Sequence, residues 1–273
     1  MTTQIANRKS EIANSLDAIV LAAGQGTRMG GDKAKVLYEA AGRPLVCWVV
    51  DACFEAGVNR CVVVVGYQAD AVRSALADLP RCAFVEQHER LGTGHAVMMA
   101  RPSFDDAPTN DVLVLAGDAP LVQARTLTSL IEEHHATGAA ATVATAVLDD
   151  PTGYGRVLRD SDGSFVRIVE HKDATPEQLA VREINPSYYC FQSDKLFTAL
   201  TRIRNDNAQN EYYLTDVPEV LKASGDRVSV VGAVPAEQVM GVNTTEQLKQ
   251  VEHVLRTRTT MANVNGERLE ESA

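Results

Sequence analysis

The chain has 273 residues, of which 45% are hydrophobic, and carries a formal charge of −10. That length buries a sizeable core without disulfide or metal staples, and that charge excludes a broad nucleic-acid or anionic-membrane face, which needs a basic surface. Residues 1–17 lack the apolar centre of a signal peptide, no apolar run reaches the length of a membrane span, and five scattered cysteines without a C-x-x-C pair read as buried thiols of a cytosolic protein.

In chain order, apolar runs of strand length alternate with amphipathic segments. Residues 18–21 read as a strand. Residues 44–56 read as a helix, because Leu45, Val46, Val49, Ala52, Cys53 and Ala56 recur at helical spacing and Pro44 suits a first turn. A strand at 61–65, a helix at 69–79, a helix at 95–100, a strand at 112–115 and a helix at 126–135 follow. The alternation predicts an α/β fold with a doubly wound, mostly parallel, Rossmann-like sheet. From Asp150-Pro151-Thr152-Gly153-Tyr154-Gly155 onward the runs shorten, at 156–158 and 165–169 around the turn Ser161-Asp162-Gly163, which predicts a smaller β-rich lobe. The last element expected is a helix from Thr244 to about Arg258, with a threonine N-cap and Leu248, Val251 and Leu255 on one face. Residues 1–16 read as a tail and 261–273 as a disordered one, with no repeat of β-helix period between.

The glycine-rich stretch Leu21-Ala22-Ala23-Gly24-Gln25-Gly26-Thr27-Arg28-Met29-Gly30-Gly31 follows the first strand, where open α/β sheets place their ligands. It is not a dinucleotide fingerprint, since Met29 takes the place of the third glycine. Nor is it a Walker A loop, since Asp32 stands where that loop needs lysine. Two readings stay open from these residues alone: an anion nest supported by Arg28 and Lys35, or a flexible surface turn. Taken singly, Lys35 also reads as a solvated lysine, Gln87 as a surface glutamine, Asp118 as a turn residue or helix cap, and Glu170 as part of a solvated strand face.

Seven stretches in fixed order carry a resemblance. They are Leu21-Ala22-Ala23-Gly24-x-Gly26-Thr27-Arg28-Met29 with Lys35-Val36-Leu37; Leu91-Gly92-Thr93-Gly94-His95-Ala96; Gly117-Asp118-x-Pro120-Leu121; Asp150 to Arg156; Val169-Glu170-His171-Lys172-Asp173-Ala174; Asn207 to Asp216; and Gly241-Val242-Asn243. This set resembles the sugar-phosphate nucleotidyltransferases, specifically the N-acetylglucosamine-1-phosphate uridyltransferase family, over roughly residues 17–254. Four positions depart from the family's pattern: Ala34 for proline, Ala116 for tyrosine, Asn210 for glycine, and Pro186-Ser187 for Thr-Gly.

The resemblance implies transfer of UMP from UTP to N-acetylglucosamine 1-phosphate, with Mg2+ as the cofactor and neither nucleic acid nor membrane as a partner. It implies Arg28 and Lys35 as catalytic cations and Asp118 and Asn243 as metal ligands. Leu21, Ala22, Ala23, Gly24, Gly26, Thr27, Gln87, Gly92 and Thr93 are implied for the nucleotide, and Gly155, Glu170, Asn185, Tyr213 and Thr215 for the sugar. Residues 17–136 are then mainly the nucleotide half, 137–243 mainly the sugar half, and 244–260 a closing helix. The C-terminal acetyltransferase domain of bifunctional relatives is not expected in this chain. Two alternatives stay open: a nucleotidyltransferase for another sugar 1-phosphate or nucleotide, and a non-catalytic nucleotide-sugar sensor.

Overall fold

The computed structural model describes residues 15–79, 81–106, 110–232 and 234–270, the side chains of Arg28, Asp106 and residues 261–270 excepted. Strand β1 (Leu16–Ala22) is the centre of the fold and is buried along nearly its whole length. A strand with neighbours on both edges and helices on both faces has no solvated side, which is why it reads as one apolar run and does not alternate with polar residues. It pairs in parallel with β4 (Cys61–Val65) on one edge and β6 (Asp111–Ala116) on the other, Val20 standing beside Val63 and Leu115. Beyond β4 lies β5 (Cys82–Glu86), again parallel.

Beyond β6, β12 (Tyr188–Gln192) runs antiparallel between β6 and β7 (Ala141–Ala144), and β13 (Val228–Val231) closes the edge parallel to β7. The seven-stranded order is β13-β7-β12-β6-β1-β4-β5. The mostly parallel, doubly wound expectation holds, with β12 as its antiparallel member.

Alternate residues of β1 feed two cores, as the two-residue strand period requires. Ala18, Val20 and Ala22 pack with helix α1 (Leu45–Glu55), with Val72 of α2 (Ala69–Ala75) and with Leu127 and Leu130 of α5 (Ala124–Thr137). Ile19 packs on the other face with Val97 of α3 (Thr93–Met99), Phe104 of α4 (Arg101–Asp106), Leu196 and Phe197 of α7 (Ser193–Leu200) and Leu221 of α8 (Val217–Ala223). Full burial of a leucine or valine contributes about 1.5–3 kcal/mol, so these two layers dominate the stability.

The lobe is a four-stranded sheet in the order β10-β9-β11-β8, built from β8 (Ala146–Val147), β9 (Gly155–Arg159), β10 (Phe165–Val169) and β11 (Glu183–Asn185). The short helix α6 (Pro176–Leu179) lies between β10 and β11 and starts with a capping box on Thr175 and Gln178. A hairpin of β2 (Glu39–Ala40) and β3 (Arg43–Pro44) precedes α1.

Three local expectations are corrected. Pro44 is the residue before α1 and not its first turn, because it is paired with Glu39 in the hairpin and Leu45 N donates to Tyr38 O. Helix α2 ends at Ala75, where the chain tightens into consecutive three-residue turns up to Leu79. Helix α9 (Thr245–Glu270) runs past Arg258 through most of the segment read as a disordered tail. Once Val251 and Leu255 anchor a helix, adding residues to its end avoids the cost of nucleation. Its start is as expected: Gln247 N donates to Thr244 Oγ1 while Gln247 Oε1 accepts from Thr244 N. All five cysteines are free thiols, four buried and Cys82 half-buried.

Candidate functional site

The chain winds outward from β1 to β4 and β5, then returns across β1 to β6. The connections leaving the carboxyl ends of β1 and β6 therefore diverge, and a crevice opens between them, the usual ligand position in such sheets. A cleft of about 460 Å³ lies there. Leu21 enters it from the end of β1, Ala23 and Gly24 just after β1, Gln87 after β5, Asp118 after β6, and Asn243 just ahead of α9.

At its centre Lys35 Nζ forms an ion pair with Asp118 Oδ2 and donates a hydrogen bond to Asn243 Oδ1 at 3.0 Å. The pair is mostly shielded, with side-chain exposures of 21% for Lys35 and 14% for Asp118, so water screens it less than a surface pair. Gly241 lies beside the side chains of Asp118 and Asn243, and a Cβ there would stand 3.7 Å from Asp118 Oδ2 and 3.9 Å from Asn243 Nδ2. Val242 N donates to Asp118 O at 2.9 Å, which ties the Asn243 segment to the end of β6. One carboxylate and one amide oxygen around a shared cation is a hard-oxygen donor set. It suits magnesium, which keeps several waters and takes few protein ligands. Among the described residues no group of three or more His, Cys, Asp or Glu could hold a metal.

The glycine-rich loop brings Lys35 to this point. Gly26 has a positive φ of 73°, and a Cβ there would lie 2.8 Å from Lys35 Cβ, so only glycine lets the lysine segment pass. Leu21, Ala23 and Gly24 line the cleft. Ala22 turns its side chain into the core, and Gly26 and Thr27 stand outside the lining. Arg28 belongs to the turn Thr27–Met29, and its side chain falls outside the described residues.

Gln87 is buried, with Nε2 donating to Gly92 O at 3.1 Å and lying 3.0 Å from His95 Nδ1. The turn carrying Gly92 and Thr93 is locked to a distant loop: Tyr212 N donates to Leu91 O, Gly94 N to Tyr212 O, and Leu214 N to Thr93 Oγ1. Gly92 and Gly94 are needed there, since a Cβ on either would come within 3.0 Å of Tyr212 O.

On the lobe side, Asn185 lines the cleft, yet its amide serves its own turn: Nδ2 donates to Tyr189 Oη at 2.5 Å and Oδ1 accepts from Ser187 N at 3.1 Å. Glu170 and Thr215 meet beside Gly155 and not in the main cleft. Thr215 Oγ1 donates to Glu170 Oε1 at 3.0 Å, and a Cβ on Gly155 would lie 3.7 Å from Glu170 Oε2. Burial pushes the Glu170 carboxyl up, with Asp173 and Glu211 adding to the effect. Tyr213 turns its hydroxyl to Asp173 and Gln209, in a smaller cavity of about 150 Å³ shared with Glu170 and Asp216.

Arg90, Ser187 and Glu211 also line the main cleft, and sequence reasoning assigned none of them a role. No local signal marks Arg90; its guanidinium reaches across the mouth to Gln25 Oε1 at 2.9 Å. Tyr154 of the Asp150 to Arg156 motif lines the cleft as well, its phenol pushed up by burial and then by the Asp118 charge.

A crevice at the switch point, with a cation already held between two oxygens, is the arrangement of nucleotide-binding α/β proteins that work on phosphate groups. Comparison with known proteins narrows that class. The MobA-like NTP transferase domain family matches residues 18–214, and the chain belongs to it. Its relatives include proteins named Bifunctional protein GlmU. That of Geobacter metallireducens is 49% identical over 243 residues, covering 89% of this chain and 51% of that protein. That of Heliobacterium modesticaldum is 48% identical over 241 residues, covering 88% and 52%. That of Geobacillus thermodenitrificans is 46% identical over 241 residues, with the same coverage. The chain thus spans about half the length of these curated relatives.

Proposed function

We propose that this cleft transfers UMP from UTP to N-acetylglucosamine 1-phosphate, giving UDP-N-acetylglucosamine and pyrophosphate. The observation that carries the reading is the meeting of Lys35, Asp118 and Asn243 at the switch point. A phosphate oxygen of the sugar substrate attacks the α-phosphorus of UTP. A new P–O bond forms, the bond from the α-phosphorus to the bridging β-phosphate oxygen breaks, and pyrophosphate leaves with that electron pair.

The nucleophile is already an anion, so no strong base is needed; alignment and charge neutralisation set the rate. Asp118 and Asn243 would hold magnesium, which when bound lowers the repulsion between the two phosphate groups. Lys35, with Arg28, lies along the triphosphate and stabilises charge that develops as pyrophosphate departs. Backbone groups of the loop carrying Leu21, Ala22, Ala23, Gly24, Gly26 and Thr27 receive the nucleotide. Gln87 with Gly92 and Thr93 read the uracil edge, for which an amide offers both a donor and an acceptor.

Gly155, Glu170, Asn185, Tyr213 and Thr215 form the sugar side, in the half of the chain from 137 to 243, with residues 17–136 serving the nucleotide. Free thiols without disulfides fit a reducing compartment, so we place the reaction in the cytosol. Among the described residues no helix is long and apolar enough to cross a membrane.

One observation favours a second reading, another sugar 1-phosphate: both ends of the Asn185 amide are taken by Tyr189 and Ser187. Pyrophosphate release, measured for each of several nucleoside triphosphates against each of several sugar 1-phosphates, separates the two. The main reading expects UTP with N-acetylglucosamine 1-phosphate to exceed glucose 1-phosphate and glucosamine 1-phosphate at least about tenfold, since a pocket built for an acetamide leaves groups unpaired without it. Equal efficiency on all three sugars would overturn it.

A further inference from the structure

The segment that delivers Lys35 is bonded to a residue that lies outside the cleft. Gln68 precedes helix α2 in a left-handed conformation, φ 53° and ψ 43°, unfavourable for a residue with a side chain. Its carboxamide spans two peptide groups on either side of Lys33: Nε2 donates to Asp32 O at 2.9 Å, and Oε1 accepts from Ala34 N at 2.8 Å. Tyr67 adds a hydrogen bond from its hydroxyl to Asp32 Oδ1.

Ala34 is fully buried, so its N–H needs a protein acceptor, and the residue after it is Lys35. From the other side Lys35 N donates to Gly24 O at 3.4 Å, and the Lys35 stem lies against Gly26. Gln68 itself is fixed, because Ala71 N and Val72 N both donate to its carbonyl.

We propose that Gln68 is a positioning residue for Lys35: its amide fastens the 32–34 segment to the start of α2 and thereby sets the ammonium between Asp118 and Asn243. This rests on the reading of the cleft as a nucleotidyltransferase site. Displacing a catalytic cation by a fraction of an ångström weakens alignment in the transition state more than it weakens binding of the ground state. Loss of Gln68 therefore acts on turnover.

The backbone of Ala34 offers a control. Its φ of −55° and ψ of 136° are those of proline, which has no N–H to satisfy. Ala34→Pro thus stiffens the same segment and removes the donor that requires Gln68, whose exposed amide can turn to water. The experiment is a double-mutant cycle of Gln68→Gly and Ala34→Pro.

Gln68→Gly relieves the left-handed backbone but leaves the buried Ala34 N–H without its acceptor, effects of similar size, so its melting temperature should move by no more than about 4 °C. Its kcat should fall about tenfold with KM for UTP moving less than about threefold. Adding Ala34→Pro should bring kcat back to within about threefold of the Ala34→Pro single variant, which itself should turn over like the parent. Wild-type kcat in Gln68→Gly, or no recovery in the double variant, would overturn the proposal.

If the parent protein turns over no nucleotide and sugar phosphate at all, the proposed function fails and Gln68 is judged by amide hydrogen exchange. Residues Lys35 to Tyr38 should then exchange faster in Gln68→Gly than in the parent. Unchanged protection there would overturn the positioning role.

Discussion

Lys35 shows what a single side chain does in this site. Its ammonium holds Asp118 and Asn243 together before any substrate arrives, so removing it leaves a shielded carboxylate without its counter-charge. Lys35→Ala should lower kcat by about two to three orders of magnitude with a smaller effect on KM for UTP, as for other preorganised cations. An effect confined to KM would make it a ground-state binding residue. Asp118→Asn and Asn243→Ala should each abolish most magnesium-dependent turnover and leave the melting temperature nearly unchanged, because Asp118 sits in the loop after β6 and Asn243 in the loop ahead of α9. Activity of either variant at the parent level, or full turnover of the parent in chelator, would rule out the pair as metal ligands.

At the scale of elements, two turns carry testable strain. Glu39 pairs with Pro44 and Ala40 with Arg43, which leaves Ala41 and Gly42 as a two-residue hairpin loop with φ of 52° and 78°. Positive φ at both positions is the turn that Asn-Gly satisfies best, so Ala41→Asn should raise stability by roughly 0.5–1 kcal/mol in chemical denaturation. A loss of stability would show that the packing of Ala41 against the Leu45 cluster matters more.

The first turn of α3, at Gly94, works in the opposite sense. A Cβ there would meet Ile203 Cδ1 at 2.5 Å and Tyr212 O at 2.9 Å. Gly94→Ala should therefore cost about 1–3 kcal/mol and weaken UTP binding, because it pries the Gln87 side of the cleft from the Tyr212 loop. Parent-like stability and UTP affinity in that variant would mean the two loops are not coupled.

For the whole molecule, four other carboxylates bear on Asp216. Asp216 is pushed up to about 6, first by burial and then by Glu219, Glu170, Asp173 and Asp206. Because the folded state holds this proton more tightly than the unfolded chain, the stability it adds is present below the ordinary carboxyl range. That stability is lost as the pH rises through about 6. Asp216→Asn should accordingly stabilise the protein at pH 7.5 by on the order of 1 kcal/mol, after allowance for solvent screening, and not at pH 4. Urea midpoints at the two pH values check this, and an equal change at both would remove Asp216 as the cause.

The parts legible in the sequence are those whose cause is local. The runs that became β1, β4 and β6 are apolar because each is buried on both faces, and the glycines of the loop after β1 answer to the backbone they must adopt. Asp118 and Lys35 could be named as candidates, but nothing in either segment says that Asn243, 208 residues beyond Lys35, would share its cation. That meeting depends on the sheet order, which returns the chain across β1 to β6 and brings the segment before α9 over the same strand ends.

Side-chain direction was equally beyond reach. Tyr213 could be placed on the sugar side, yet its hydroxyl bonds Asp173 and Gln209, and the Asn185 amide closes on Ser187 and Tyr189. Periodicity and composition marked β1, β4 and β6, helices α1 and α5 and the glycine-rich loop, whereas β5, β7, β12, β13, α7 and α8 carried no pattern that was read. Tertiary packing decided which polar groups remain turned toward the cleft, because a buried donor or acceptor bonds whatever partner the fold brings within about 3 Å.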